Sequence, residues 1–140
     1  MKIMFASPEV APFIKTGGLG DVAGALPAAL AKAGHDVRVF CPLYSAIGAN
    51  WREKMTHVKN AYVQLGWRNQ YCGIFSYEKD DVTYYFIDNE YYFARAQLYG
   101  EYDDAERFAY FSKAVLEILP DLDWKPDVIN ANDWQTALIP

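Results

Sequence analysis

The segment Lys15-Thr16-Gly17-Gly18-Leu19-Gly20-Asp21-Val22 constrains the fold more than any other. An apolar run, Lys2–Ala6, reads as a strand just before it. An apolar periodicity follows it: Val22, Leu26, Leu30 and Ala33 recur at helical spacing, so residues 19–33 predict a helix with one apolar face. Pro27 interrupts the pattern and should kink the helix or begin a second turn of it. Gly34 is placed to end the helix, and residues 36–41 read as a second strand. Strand, glycine loop, helix, strand is the unit of a parallel sheet with a right-handed crossover.

Farther along, residues 62–65, 71–77 and 82–87 are strand candidates, with Asp80-Asp81 as a hairpin turn between the last two. Phe108, Phe111, Val115, Leu116 and Leu119 share one face, which predicts a helix over 104–119 ended by Pro120. Residues 127–131 form a short strand pattern, and Asn132 or Asp133 can cap a helix beginning at Trp134. The chain stops within that last turn, so a truncated chain, with strands missing beyond Pro140 and an exposed sheet edge, is the expectation.

Charge narrows the partners. Thirteen basic against eighteen acidic residues give a net charge of −5, which disfavours nucleic acid or an anionic membrane as the main partner. The apolar start is short and broken by Glu9, so it reads as a buried strand rather than an export signal, and the expected location is cytoplasmic. Cys41 and Cys72 have no metal-like spacing and read as reduced core thiols, with a disulfide between them as the open alternative. His35 reads as a turn residue and His57 as a surface residue, and no metal site is expected.

A lysine, adjacent glycines and a helix start in one place suit a phosphorylated small molecule. Glycines permit close backbone approach, the first helical turn offers unpaired N–H groups and partial positive charge, and Lys15 adds a full charge. The plainer readings are a tight turn for the glycines, a solvated Lys15, an Asp21 favoured by the helix dipole, and an Asp133 that only caps a helix. The segment is neither GxGxxG nor a P-loop, which disfavours NAD binding and ATP hydrolysis. Tyr84-Tyr85-Phe86 reads as a buried strand; Tyr91-Tyr92-Phe93 is open between packing and sugar stacking. Asp103, Asp104 and Glu106 read as the solvated acidic start of a helix.

From Met1 to Pro140 the chain resembles the bacterial glycogen synthases and plant starch synthases. The resemblance rests on Ser7-Pro8-Glu9-Val10-Ala11-Pro12-Phe13, Lys15 to Val22, Ala25-Leu26-Pro27, Gly34-His35-Asp36-Val37, Tyr99-Gly100, Arg107-Phe108 and Asn132-Asp133-Trp134-Gln135-Thr136-Ala137-Leu138. It implies an α/β fold: a Rossmann-like parallel-sheet N-terminal domain of a two-domain GT-B-type glycosyltransferase, incomplete at its C-terminus. Residues 1–140 would be part of that domain, with the second, nucleotide-binding domain absent. The implied donor is ADP-glucose and the acceptor the non-reducing end of an α-1,4-glucan (glycogen or starch), with retention of configuration and no cofactor.

By the same resemblance Lys15 binds the donor diphosphate, with Thr16, Gly17, Gly18, Tyr99 and Asn132 as further substrate-binding positions. Asp21 and Asp133 are implied as catalytic carboxylates of the cleft, neither a nucleophile. Two departures stand out. Asn130 and Asn132 occupy positions where many members carry histidine. The family's cleft histidine falls beyond Pro140, so the chain alone is expected to be inactive. A non-catalytic glucan-binding or regulatory module of the same fold is the alternative.

Overall fold

The computed structural model describes residues 1–140. Six strands form one mixed sheet in the order β3-β4-β5-β2-β1-β6. They are β1 (Lys2–Ala6), β2 (Asp36–Pro42), β3 (Thr56–Leu65), β4 (Arg68–Lys79), β5 (Val82–Asp88) and β6 (Val128–Ala131). The four strands β5, β2, β1 and β6 are mutually parallel, and β4 and β3 extend the sheet antiparallel. The long helices are α1 (Gly18–Lys32) and α4 (Asp104–Glu117), with single-turn helices α2 (Ala49–Arg52) and α3 (Glu90–Phe93) between them.

Strands β1 and β2 are buried almost throughout, as parallel strands covered on both faces should be. The β4–β5 turn falls at Asp80-Asp81, both with positive φ (53° and 60°), the mirror-image geometry that joins twisted strands. Tyr84, Tyr85 and Phe86 are buried, as read from sequence. Phe13 sits at the centre of an aromatic cluster with Trp51, Tyr77, Tyr84 and Phe86, ring centroids 4.9–5.6 Å away. Cys41 and Cys72 are both buried and free.

Helix α1 turns a different face inward from the one its hydrophobicity predicts. Val22 and Leu26 are 50% and 41% exposed, whereas Gly20, Ala23 and Pro27 are buried. The cause is close approach. A Cβ on Gly24 would lie 2.7 Å from the Ala11 carbonyl oxygen, so only small residues can face the preceding loop. The helix also runs unbroken through Pro27 to Lys32, and Gly34, whose φ is +98°, follows its cap at Ala33.

Helix α4 ends at Glu117, and Pro120 opens a 3-10 turn (Pro120–Leu122). The expected helix at Trp134 is one 3-10 turn (Trp134–Thr136). Strand β6 pairs only with β1, leaving its outer edge open with Val128 and Ile129 exposed. No helix is long and apolar enough to cross a membrane.

Candidate functional site

In the parallel set, the chain leaves β1 for β2 on one side, and β6 lies on the other. Strand order reverses there, and in open α/β sheets ligands lie in the crevice outside the carboxyl ends of such strands. Here those ends are Ser7-Pro8-Glu9, after β1, and Asn132-Asp133, after β6.

The loop after β1 is tied at several points. The Ser7 N–H donates to the Phe40 carbonyl (3.0 Å), the Tyr44 hydroxyl to the Pro8 carbonyl (2.7 Å), and Val10 and Ile14 exchange backbone bonds of 2.9 Å. These bonds turn the chain back so that Lys15 meets the start of α1. A Cβ on Gly20 would lie 2.6 Å from the Lys15 Cβ, so only glycine lets the helix sit this close to the loop.

Glu9 is the organising residue of this loop; the sequence marks it as a break in an apolar run and as part of a segment shared with the family, with no role of its own. It is 2% exposed. Its Oε1 accepts the N–H groups of Thr16 (3.3 Å), Gly17 (3.2 Å) and Gly20 (3.0 Å). Its Oε2 accepts the hydroxyls of Thr16 (2.6 Å) and Tyr99 (2.8 Å). Burial pushes this carboxyl up, but the bonds from Thr16, Tyr99 and Gly20 outweigh it and hold the group below the usual carboxylate range. The signal available in sequence was the carboxylate itself, since a buried charge must find donors.

The expected site residues divide accordingly. Thr16 and Gly17 turn their N–H groups to Glu9, and so does Gly20. The N–H groups of Gly18 and Leu19 make no hydrogen bond and form the open end of the helix. Lys15 Nζ lies 2.8 Å from Asp21 Oδ1, and the two side chains are 50% and 60% exposed. A cation, two open N–H donors and the positive end of a 15-residue helix thus lie together in the segment that follows β1.

On the β6 side, the Asn132 side chain donates to the Ala6 carbonyl (2.9 Å) and accepts from Asn130 (3.3 Å), which pins the end of β6 to that of β1. Asp133 is exposed, and its carboxylate accepts the Trp134 N–H (2.8 Å). Its backbone has φ 64° and ψ −179°, a region that is nearly glycine-only and costs about 1–3 kcal/mol for other residues. Asp133→Gly is therefore expected to melt above Asp133→Ala, by about 1–2 kcal/mol of stability, since both lose the carboxylate and only glycine relieves the backbone. Equal melting temperatures in a paired thermal denaturation would sink this account of the strain.

Tyr99 and Trp134 join the two sides. Their ring centroids are 6.5 Å apart, and Phe108 packs on both at 5.9 and 5.3 Å. Burial and the bond to Glu9 push the Tyr99 hydroxyl well up, so it stays a neutral donor. The segment carrying Tyr99 is held by the acidic residues read above as solvated, and here the structure corrects that reading. Asp103 takes a two-pronged bond from Arg95 (2.8 Å each), which holds its carboxyl down. Asp104 accepts the N–H groups of Gly100 and Glu101, and Glu106 accepts the Tyr92 hydroxyl. Arg107, wholly buried, donates to the carbonyls of Tyr92 (2.6 Å) and Leu98 (2.9 Å) and to Asp104 (2.8 Å). Tyr92 and Phe93 are buried, which settles those two in favour of packing; Tyr91 is half exposed with the Arg68 and Arg95 guanidinium groups over its ring. No group of three His, Cys, Asp or Glu side chains is placed to hold a metal ion.

Comparison with known proteins gives a consistent result. Residues 2–140 match the starch synthase catalytic domain model. The chain is 59% identical over 140 residues to the glycogen synthase of Clostridium botulinum (strain Eklund 17B / Type B) and 56% identical to that of Geobacillus stearothermophilus, covering the whole of this chain and 29% of each relative. Its fold superposes on the catalytic domain of starch synthase IV from Arabidopsis thaliana bound to ADP and acarbose, with a TM-score of 0.86 and 33% identity, over 99% of this chain and 29% of that one. The chain therefore spans under a third of the length of these relatives, and it belongs to the starch synthase catalytic domain family.

Proposed function

We propose that this chain forms one wall of the substrate cleft of a glycogen synthase, which transfers glucose from ADP-glucose to the non-reducing end of an α-1,4-glucan with retention of configuration in the cytoplasm. The observation that carries the reading is the half-exposed Lys15 beside the open N–H groups of Gly18 and Leu19, at the carboxyl end of β1. The ADP and acarbose bound to the Arabidopsis enzyme support a nucleotide-sugar donor and a glucan acceptor.

In this reading the bond from glucose C1 to the β-phosphate oxygen breaks while C1 bonds, on the same face, to the oxygen of an acceptor hydroxyl, whose proton passes to the departing phosphate oxygen. Negative charge grows on the departing diphosphate. Fixed donors aimed at that charge lower the barrier, and Lys15 with the Gly18 and Leu19 N–H groups supplies them. Asp21 holds the Lys15 ammonium at the helix start until the diphosphate replaces it. Asp133, on the other lip of the crevice, faces the glucosyl unit and stabilises positive character at C1. Asn132 sets the position of Asp133 through its bond to Ala6. The second domain would supply the remaining nucleotide contacts, so the 140 residues alone hold part of a site.

The test is transfer of labelled glucose to glycogen by the longer protein that carries this chain, with ADP-glucose and UDP-glucose compared. Transfer from ADP-glucose, and none by the 140-residue chain alone, is expected. A folded longer protein that binds glycogen but transfers from neither donor would replace this reading with the non-catalytic module.

A further inference from the structure

Glu9 receives five hydrogen bonds, and four of them come from residues 16–20, the loop it stabilises. The fifth comes from Tyr99, ninety residues away in sequence. We propose that Tyr99 is a positioning residue: its hydroxyl fixes the Glu9 carboxylate, which fixes the backbone from Thr16 to Gly20 and with it the base of Lys15. The proposal rests on the reading above that Lys15 meets the donor diphosphate.

Three observations carry it. The two oxygens of Glu9 have separate duties. Oε1 faces only backbone N–H groups, which cannot rotate away, whereas Oε2 faces two hydroxyls, of which only that of Tyr99 lies outside the loop. Among the hydrogen bonds of Glu9, only the one from Tyr99 restrains rotation of the carboxylate from outside residues 16–20. Second, Lys15 is packed against Gly20 with no room for a methyl group, so a shift of the Gly20 N–H on Glu9 moves the Lys15 backbone as well. Third, Tyr99 is itself held firmly. The neighbouring Leu98 carbonyl accepts from buried Arg107, the Gly100 N–H donates to Asp104 (2.8 Å), and the ring packs on Phe108. The hydroxyl's one proton is thus committed to Glu9, leaving it none to donate to a sugar.

The experiment compares Tyr99→Phe, Glu9→Gln and the double variant in the full-length enzyme. Glu9→Gln keeps the shape and an oxygen for the three N–H groups, so it is expected to fold where Glu9→Ala could fail. Tyr99→Phe is expected to lower kcat about tenfold, as a small misplacement of a reacting group does, with KM for glycogen changed less than about twofold. The double variant should fall no further than about twofold below the worse single one, because both act through one contact. Hydrogen exchange of the amides in residues 14–24 should quicken about tenfold in Tyr99→Phe. A raised glycogen KM at unchanged kcat, with losses that multiply in the double variant, would instead make Tyr99 a sugar contact and overturn the proposal. So would unchanged exchange in residues 14–24. A wild-type enzyme without transferase activity would strike at the proposed function alone, since the exchange measurement still decides the role of Tyr99.

Discussion

Lys15→Ala in the full-length enzyme is expected to lower kcat by about 10²–10³-fold, the range found when one donor to a developing oxyanion is removed. Its melting temperature should hardly move. The Lys15 ammonium makes one ion pair, with Asp21, and both groups are at least half in water. Exposed ion pairs of this kind contribute little, because solvent screens them and two long side chains must be ordered to form them. The variant thus separates chemistry from folding. Steady-state kinetics with ADP-glucose, together with a thermal melt, make the check. Unchanged kcat and KM would remove Lys15 from the mechanism. The neighbouring carboxylate gives a second comparison within the same experiment. Asp21→Asn leaves Lys15 without its resting partner, and its kinetic loss should be smaller than that of Lys15→Ala.

The second large effect falls on stability. Arg107→Met is expected to destabilise the protein by about 3–5 kcal/mol, the cost of breaking a buried charge pair from one side. Methionine matches the arginine stem in length and apolar character, so packing on Phe93 and Phe108 largely survives. What is lost is a set of bonds around a buried guanidinium: the carbonyls of Tyr92 and Leu98 lose their donor, and Asp104 keeps only the two backbone N–H groups of Gly100 and Glu101. Since a domain is stable by only about 5–15 kcal/mol, such a loss takes a large fraction of the whole. Urea denaturation of the variant and wild type side by side measures it, and a difference below about 1 kcal/mol would show that the buried guanidinium, whose Nη2 has no partner, is no net stabiliser. Arg107→Lys should recover only part of the loss, because an ammonium cannot reach three acceptors in the planar fork that a guanidinium spans.

The parts of this chain that local pattern describes were legible in its sequence. Strand β1, the helix after the glycine loop, the Asp80-Asp81 hairpin and helix α4 all follow from apolar period and turn chemistry, which act over a few residues. The candidate site was legible where it lies on that loop, as at Lys15, Gly18 and Asp21. It was not legible at Glu9. A single carboxylate between Pro8 and Val10 looks like an interruption until its donors at Thr16, Gly17, Gly20 and Tyr99 are brought around it, and Tyr99 joins it only through the fold. The face of α1 was misread for a related reason. Hydrophobicity ranks Val22 and Leu26 as core, but the distance between helix and loop is set by what fits, and glycine and alanine fit. Asp103 and Asp104 were misread because acidic residues at a helix start have a sufficient local explanation in the dipole, which hid their pairing with Arg95 and Arg107.

The backbone at Asp133 has a practical consequence for engineering. A library of variants sorted on melting temperature alone would enrich glycine at this position, because glycine is the one residue at home at φ 64°, ψ −179°. Those clones would be the sturdiest and would have lost the carboxylate at the lip of the crevice. On the role proposed for Asp133, position 133 should therefore be fixed before such a sort begins, and heat resistance sought at sites where ruggedness and turnover do not pull in opposite directions.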